Sequence, residues 1–270
     1  MSNSEISRGG TPFDSSIRLA LDFDGVLCDS VCETGISAWN ACAVIWPEMS
    51  GGLPSEALLA DYGRVRPVVE TGHEAILVMR LLEMGVAPAE VIGRFPTWKA
   101  RLLAEIDRDE DALKGLFGAV RDRCIATDAE GWSAMSPLYP GIKTFLQGLS
   151  AVVDAYIITT KQERFVRRLL DYNGVAFPSD RIFGLDRGVP KEAVLSDLSK
   201  RHPGSCWHFV EDRLATLVRV MECADLAPVR LYLANWGYNT RLDRESARGL
   251  KIAILDLCDL LALTFPEDNQ

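Results

Sequence analysis

The sequence predicts an α/β fold, a doubly wound parallel sheet that is interrupted by an α-helical insertion. From about residue 137 onward, short apolar runs alternate with segments of helical periodicity, a pattern typical of a parallel sheet covered on both faces. An earlier apolar run, residues 17–23, has the length and aliphatic content of a buried strand. Between these two parts, residues 36–124 show helical periodicity and no convincing strand.

The insertion divides the chain into a core and a smaller helical unit. We assign residues 17–32 and 133–270 to the core domain and residues 33–132 to a helical cap domain. Residues 1–16 are polar and are predicted to form a flexible tail. The core strands after the insertion are predicted at residues 152–158, 181–183, 206–210, 229–233 and 252–255.

Composition and charge exclude several classes of function. The chain of 270 residues has a net charge of −9, whereas binding to nucleic acid requires a basic face, so we expect no nucleic-acid partner. No apolar run approaches the roughly 18 residues of a membrane span, and we expect no membrane association. The seven cysteines lack paired spacing, which fits a reducing compartment and predicts a cytoplasmic protein.

Acidic side chains follow the first predicted strand at its carboxyl end. Asp22 and Asp24 are one residue apart and precede Gly25, which we expect to end the strand. Two carboxylates this close repel each other unless a cation lies between them. Taken alone, the pair is more typical of an acidic turn, so its interpretation depends on the other strand ends.

Polar groups follow three further strands of the predicted sheet. The carboxyl ends of parallel strands meet along one edge, so we expect these groups to lie beside the first acidic pair. Two acids from each of two strands can hold a hard divalent cation such as Mg²⁺. A hydroxyl and an ammonium nearby supply donors for phosphate oxygens. In chain order, the groups are Thr159, Thr160, Lys191, Glu211 and Asp212.

These strand ends give the chain a resemblance to a known family. It resembles the haloacid dehalogenase (HAD) superfamily, in the phosphoglycolate-phosphatase-like branch with a helical cap. The resemblance implies a Rossmann-like HAD core, and it covers roughly residues 17–30 and 137–260, while the cap matches only in position and helical character. The four motifs are matched by DFDGVLCDS at residues 22–30, IITTK at residues 157–161, Lys191, and FVED at residues 209–212.

The resemblance implies a role for each residue of the first motif. Asp22 would be the nucleophile that forms an aspartyl-phosphate. Asp24 would be the general acid and then the general base, and its backbone carbonyl would bind Mg²⁺. Gly25 is assigned to substrate binding. Haloacid dehalogenases lack the second acid, because a carbon–halogen bond needs no protonation of its leaving group, so Asp24 favours phosphoryl transfer.

The second and third motifs would bind the phosphoryl group. The resemblance implies that Thr159 and the backbone amide of Thr160 hold phosphoryl oxygens. Lys191 would neutralise the nucleophile and the phosphate. Lys161 also stands beside the second motif and is an alternative for the lysine role, although we favour Lys191.

The fourth motif would complete a magnesium site. Asp212 would bind Mg²⁺ directly together with Asp22, and Glu211 would assist either directly or through water. Glu211 occupies a position at which many relatives have glycine, which leaves its mode of ligation open. Mg²⁺ is required by the charge balance, because an anionic nucleophile repels an anionic phosphate.

The predicted cap carries one segment that suits a phosphorylated substrate. Substrate choice in such a design belongs to the cap that closes over the site. Arg64 and Arg66 lie with His73 around a predicted turn, and the arginine fork binds phosphate or carboxylate through two hydrogen bonds. A solvated turn between cap helices explains the segment equally well.

Three hypotheses of function follow from the sequence. The leading one is a Mg²⁺-dependent phosphatase that acts on a small phosphorylated metabolite. The second is a phosphomutase, which passes the phosphoryl group of the same intermediate to a sugar hydroxyl. The third is a binding or regulatory protein that keeps the fold without turnover, and it is the weakest because the predicted catalytic set is complete.

Overall fold

A six-stranded parallel sheet forms the centre of the molecule in the computed structural model, which describes residues 17–106, 108–149 and 153–264. The predicted tail, residues 1–16, lies outside this part. The sheet has the order β3-β2-β1-β4-β5-β6, which confirms the predicted fold class. Its strands are β1 (Ile17–Leu21), β2 (Asp154–Ile158), β3 (Ile182–Phe183), β4 (Cys206–Glu211), β5 (Arg230–Ala234) and β6 (Ala253–Leu255).

Between β1 and β2 the described residues form helices and no strand. The first six α-helices are α1 (Val31–Ile45), α2 (Glu56–Val65), α3 (Glu74–Glu83), α4 (Pro88–Glu105), α5 (Glu110–Thr127) and α6 (Ala129–Ala134), and a seventh, α7 (Ile142–Leu149), precedes β2. Helix α4 bends at Arg94, whose φ of −135° is not helical. The bend precedes Pro96, whose ring removes a backbone donor and clashes with the preceding turn.

The remaining helices connect successive strands of the sheet or follow its last strand. They are α8 (Glu163–Tyr172), α9 (Lys191–Arg201), α10 (Leu214–Met221), α11 (Arg241–Gly249) and α12 (Leu257–Ala262). Among the described residues, none of the helices is long and apolar enough to cross a membrane.

Each face of the sheet packs against its own set of helices. Neighbouring residues of β1 belong to different hydrophobic clusters, because strand side chains alternate in direction. Leu19 and Leu21 pack in the cluster that includes side chains of α7 and α8. Ala20 packs in the cluster that includes side chains of α9 and α10. This two-sided burial explains why the core strands read as continuous apolar runs.

The helices between β1 and β2 have a third hydrophobic cluster of their own. Helix α3 lies at its centre, with Ile76, Leu77 and Met79 fully buried. Side chains of α1, α2, α4 and α5 complete the cluster. A separate core of this kind supports our assignment of residues 33–132 to a cap domain, which we retain as a proposal.

Two local features differ from the sequence prediction. Strand β1 ends at Leu21 instead of residue 23, because the backbone then closes a tight loop in which the amides of Leu27 and Cys28 donate to the carbonyl of Phe23 (3.0 and 2.9 Å). Helix α11 was not predicted. Its only buried side chain is Ala247, so the segment has no apolar stripe by which its periodicity could be recognised.

A buried histidine in β4 makes the stability of the fold dependent on pH. The ring of His208 stacks on Tyr232 with its Nδ1 3.0 Å from the tyrosine hydroxyl. Burial, followed by the charge of Arg230, lowers the pKa of His208 to about 4, so the unfolded chain binds the proton more readily. The free energy of unfolding should therefore fall as the pH falls from 6.5 towards 4, by about 2 kcal/mol at pH 5.

Urea unfolding of the wild type and of His208→Gln at pH 7 and pH 5 measures this contribution. Other titrating groups are common to both proteins, so the difference between their pH dependences isolates the histidine. We expect the variant to lose about 2 kcal/mol less than the wild type between the two pH values. Equal losses would show that His208 does not carry the effect.

Candidate active site

The loop after β1 passes very close to the end of β4. Gly25 has a φ of +84°, and a Cβ atom at this position would overlap the carboxylate of Asp212. Only glycine combines this backbone conformation with so close an approach. The structure gives Gly25 this packing role, and its predicted role in substrate binding stays a prediction.

Three buried carboxylates meet at the carboxyl edge of the sheet. Asp22, Glu211 and Asp212 each offer an oxygen atom, and these atoms lie within 4.8 Å of one another. Lys191, the first residue of α9, places Nζ 3.0 Å from Oδ1 of Asp22 and 2.7 Å from Oε2 of Glu211. When ionised, the three carboxylates exceed this single ammonium by two negative charges, which a divalent cation would balance.

Burial makes these carboxylates hard to ionise in the absence of a cation. Burial, followed by the charge of Glu211, raises the pKa of Asp22 to about 7, although Lys191 acts in the opposite direction. Burial also raises the pKa of Glu211 and of Asp212. A divalent cation would favour the charged form of all three groups and reverse these shifts.

The hydrogen bonds of the cluster differ between its members. Oδ1 of Asp22 accepts from the amide of Phe23 (2.7 Å) and faces Lys191, and Oδ2 of Asp212 accepts from the amide of Tyr238 (2.7 Å). The other oxygen of Asp22 accepts no hydrogen bond from the described residues, whereas the side chain of Asp212 also makes a hydrogen bond with Glu211. Asp22 therefore keeps an oxygen that suits a cation, and a cation would replace the shared proton between Asp212 and Glu211.

Glu211 is more fully engaged than the two aspartates. Its Oε2 accepts from Lys191 at 2.7 Å, and its Oε1 accepts from the backbone amide of Arg213 at 3.1 Å. A direct bond to a metal would compete with one of these contacts. If a metal binds here, this arrangement favours contact with Glu211 through water or through Lys191 over a direct bond.

Asp24 lies at the end of a chain of buried charges. Both of its carboxylate oxygens accept from Nζ of Lys161 (3.0 and 3.3 Å). The same Nζ lies 3.4 Å from Oε2 of Glu33 on α1. Glu33 in turn accepts two hydrogen bonds from Arg121 on α5 (2.8 and 2.7 Å). The network joins the core to two helices of the proposed cap.

This network sets the ionisation of Asp24. Burial would raise the pKa of Asp24, but the positive charges of Lys161, Arg66 and Arg121 outweigh burial and hold it below its usual value. Asp24 is therefore a carboxylate over the neutral range, while Asp22 holds its proton more tightly. The surroundings of the two acids of the first motif therefore shift their pKa values in opposite directions.

The two candidate lysines face different acids. Lys191 contacts Asp22, as expected for a lysine that neutralises the predicted nucleophile. Lys161 contacts Asp24 and Glu33 and makes no ion pair with Asp22. The attraction of Asp22 and Glu211 outweighs burial and raises the pKa of Lys191, so it stays charged. This geometry supports the assignment of the phosphate-binding role to Lys191.

The threonines after β2 point to different neighbours. Thr159 is buried, and its hydroxyl accepts a hydrogen bond from the amide of Lys161 (3.2 Å). The hydroxyl of Thr160 donates to the carbonyl of Glu70 (3.1 Å), in the segment between α2 and α3. The side chain of Thr160 thus links the core to the proposed cap, which leaves its backbone amide for the predicted phosphoryl contact.

The structure separates the two arginines that the sequence analysis grouped. Arg64 is 69% exposed and pairs with Asp61 on its own helix, so it lies outside the buried cluster. Arg66 is buried and lies over the ring of Tyr238, with Cζ 4.3 Å from the ring centroid. The helical turn places residues two apart on different faces, and this periodicity decides which arginine reaches the site.

Several residues of the site were not predicted. Glu33 and Arg121 have the sequence appearance of solvated helix residues, yet they form a buried pair. Tyr238 lies in the loop after β5, and its hydroxyl donates to Asp29 (2.9 Å). Arg213 directly follows the fourth motif and donates from Nη1 to the carbonyls of Pro67 and Val69 (2.7 and 2.8 Å). Only the adjacency of Arg213 to the motif was visible as a signal.

Comparison with known proteins places this geometry in a recognised fold. A scan of protein-family models and a search of curated proteins found no match to the sequence. Solved structures do match over nearly the whole chain. A predicted phosphoglycolate phosphatase from Haemophilus somnus has a TM-score of 0.58 at 18% identity and covers 95% of this chain and 100% of its own.

Two further solved structures match the fold of this chain over nearly its whole length. A predicted phosphatase from Clostridium acetobutylicum has a TM-score of 0.58 at 16% identity, with coverage of 93% of this chain and 98% of its own. A haloacid dehalogenase-like hydrolase from Streptococcus pneumoniae has a TM-score of 0.56 at 16% identity, with coverage of 93% and 99%. The protein therefore has the fold of the haloacid dehalogenase-like hydrolases, which confirms the fold implied by the resemblance.

Proposed function

We propose that the protein is a Mg²⁺-dependent phosphatase that hydrolyses a small phosphorylated metabolite through an aspartyl-phosphate on Asp22. The observation that carries the proposal is the convergence of Asp22, Glu211 and Asp212 on Lys191 at the carboxyl edge of the sheet. The haloacid dehalogenase-like fold supports the same reaction class. A fold likeness alone would not specify an activity, so the side chains of the site carry the argument.

In the first step, the carboxylate of Asp22 attacks the phosphorus atom of a phosphate monoester. A bond forms between phosphorus and the Asp22 oxygen, and the bond to the ester oxygen breaks. Asp24 gives its proton to the departing oxygen, which leaves as an alcohol. The negative charge of the bound phosphate raises the pKa of nearby Asp24 through repulsion of like charges, which favours the protonated form that this step needs.

In the second step, water hydrolyses the aspartyl-phosphate. Asp24, now a carboxylate, accepts a proton from the water as its oxygen attacks phosphorus. The bond between phosphorus and the Asp22 oxygen breaks, and phosphate and the free carboxylate are released. The lowered pKa of Asp24 suits this step, because Lys161, Arg66 and Arg121 favour the form that accepts the proton.

The donor set fits a hard divalent cation. Asp22 and Asp212 would hold Mg²⁺ together with the backbone carbonyl of Asp24, and Glu211 would act through water, because both oxygens of Glu211 already accept from Lys191 and from the amide of Arg213. When bound, Mg²⁺ would offset the charge between the phosphate and the carboxylates. We also propose that the helical cap, residues 33–132, selects the substrate.

A phosphate-release screen tests the proposal. Purified protein is incubated with a panel of phosphorylated metabolites and a generic aryl phosphate, with Mg²⁺ or with a chelator. We expect release from at least one compound, a loss of about 100-fold or more with the chelator, and recovery when Mg²⁺ is restored. No release from any compound would refute the proposal, and an isomeric product without free phosphate would identify a mutase.

A further inference from the structure

One short segment of the proposed cap receives hydrogen bonds from separate parts of the core. We call residues 67–70, which lie between α2 and α3, the anchor segment. The backbone carbonyls of Pro67, Val69 and Glu70 each accept a hydrogen bond from a core side chain. Because backbone groups are the acceptors, these contacts depend on the path of the segment and not on the side chains that it carries.

Arg213 makes two of these hydrogen bonds with a single nitrogen atom. Its Nη1 donates to the carbonyl of Pro67 at 2.7 Å and to the carbonyl of Val69 at 2.8 Å. The donor carries a positive charge, and hydrogen bonds from charged groups contribute more than those between neutral groups. Arg213 is half-buried, so water competes less for this donor than it would on an open surface. Arg213 is therefore the main hydrogen-bond donor to the anchor segment.

The backbone of Arg213 belongs to the candidate active site. Its amide donates to Oε1 of Glu211 at 3.1 Å, and the other carboxylate oxygen of Glu211 accepts from Lys191 at 2.7 Å. Arg213 also directly follows Asp212, a member of the carboxylate cluster. The backbone and the side chain of this one residue thus join the cluster to the cap.

Two further core residues contact the anchor segment. Thr160 follows β2, and its hydroxyl donates to the carbonyl of Glu70 at 3.1 Å. Arg219 on α10 pairs with the carboxylate of Glu70 at 2.7 Å, but these two side chains are 41% and 39% exposed. An exposed ion pair contributes little because water and salt screen it. The segment is therefore held mainly by Arg213 and Thr160.

We propose that Arg213 is a positioning residue, which holds the anchor segment against the carboxyl edge of the sheet and so keeps the cap in place over a bound substrate. The kinetic consequence rests on the proposed function, whereas the placement of the segment does not. The predicted nucleophile Asp22, the general acid Asp24 and the phosphate-binding Lys191 all lie in the core. Loss of the anchor should therefore weaken substrate binding more than it slows the chemical steps.

Hydrogen–deuterium exchange measured by mass spectrometry tests the placement of the segment. Arg213→Met keeps most of the length of the side chain but removes the donor. The amides of residues 69–71 hydrogen-bond within the cap, so their exchange reports local opening of the segment. We expect these amides to exchange about 10 to 100 times faster in the variant, because a charged hydrogen bond is lost, while the amides of α9 exchange as in the wild type.

Two more variants separate this contact from general effects of substitution. Arg213→Lys keeps a charged donor without the fork of the guanidinium, and it should restore part of the protection. Arg219→Met is the matched control, because it removes an arginine that contacts the same segment through an exposed ion pair. Exchange in this control should stay within about 3-fold of the wild type.

Steady-state kinetics with Mg²⁺ test the consequence for the reaction. The substrate is the compound of the phosphate-release screen from which the wild type releases phosphate fastest. Arg213→Met should raise its KM about 10- to 100-fold and leave kcat within about 3-fold of the wild type. Arg213→Lys should lie between the two proteins. A merely structural role would instead reduce the folded fraction, which lowers kcat at an unchanged KM.

Three results would overturn the inference. They are an unchanged exchange rate in the anchor segment of Arg213→Met, an equal increase in exchange over the whole chain, and a fall in kcat at an unchanged KM. If the wild type releases no phosphate from any compound, the proposed function fails. The exchange comparison needs no turnover, so it still decides whether Arg213 holds the segment.

Discussion

Replacement of Asp22 by asparagine should abolish phosphate release while the protein stays folded. The amide has nearly the same shape as the carboxylate but cannot attack phosphorus. Removal of a nucleophile typically lowers kcat by a factor on the order of 10⁴ or more. We expect the same loss on every substrate that the wild type hydrolyses, because the aspartyl-phosphate is common to all of them.

The fold of Asp22→Asn should tolerate the change. Asp22 is buried, and its pKa is raised to about 7, so much of its population is uncharged near neutral pH without a cation. Asparagine is always uncharged and keeps an oxygen that can accept from the amide of Phe23. Circular dichroism and thermal unfolding in the absence of Mg²⁺ should therefore match the wild type closely.

Asp197→Asn provides the matched control for this experiment. This substitution makes the same chemical change on α9, the helix that begins with Lys191. Asp197 differs from Asp22 in that it is exposed and pairs with Arg201. Its phosphate release should equal that of the wild type within a factor of about two. A residual activity above about 1% in Asp22→Asn, in preparations free of other phosphatases, would contradict the assignment of the nucleophile.

Replacement of Glu33 by glutamine should be strongly destabilising. Glu33 is fully buried, and its carboxylate binds Arg121 through two hydrogen bonds and also faces Lys161. Glutamine keeps the size of the side chain but leaves both cations less compensated. Loss of one partner from a buried pair costs about 3–5 kcal/mol, and we expect this decrease in the free energy of unfolding by urea denaturation.

Glu105→Gln is the control for the Glu33 variant. Glu105 pairs with Arg101 at 2.8 Å, but the pair is exposed on α4. Exposed pairs contribute about 0–1 kcal/mol because water and salt screen them. A loss in Glu33→Gln that is no larger than the loss in Glu105→Gln would show that the buried network does not stabilise the junction between core and cap.

The four-motif pattern could be recognised because three of its motifs lie at the end of a buried strand, and the remaining one, Lys191, opens helix α9 after the short strand β3. Apolar runs and helical periodicity are local properties of the chain, so the succession of β1 to β6 along the sequence and the helices around them, apart from α11, followed from residues a few positions apart. Asp22, Lys191, Glu211 and Asp212 were grouped correctly in space for the same reason, since parallel strands bring their carboxyl ends together.

The cap could not be interpreted to the same depth. The apolar stripes of the cap helices are regular, so the helices could be predicted. The neighbouring residues in the sequence do not indicate which charged side chains of these helices are buried. Glu33 and Arg121 are 88 residues apart and meet only because α1 packs against α5. Nothing in the sequence distinguishes Arg64 from Arg66 as the arginine that reaches the site. The rotation of one helix decides that Arg66 is buried and Arg64 is not.

The sequence by itself determined the α/β fold, the helical insertion and the set of strand-end groups that points to phosphoryl transfer, because these depend on periodicity and on the topology of a parallel sheet. Only the tertiary structure decided which lysine faces Asp22, that Glu211 has both oxygens engaged, and that Asp24 is held by Lys161. All but the contact between Glu211 and Arg213 join residues that are distant in the chain, and their geometry is set by how the strand ends and helix α9 meet within the core.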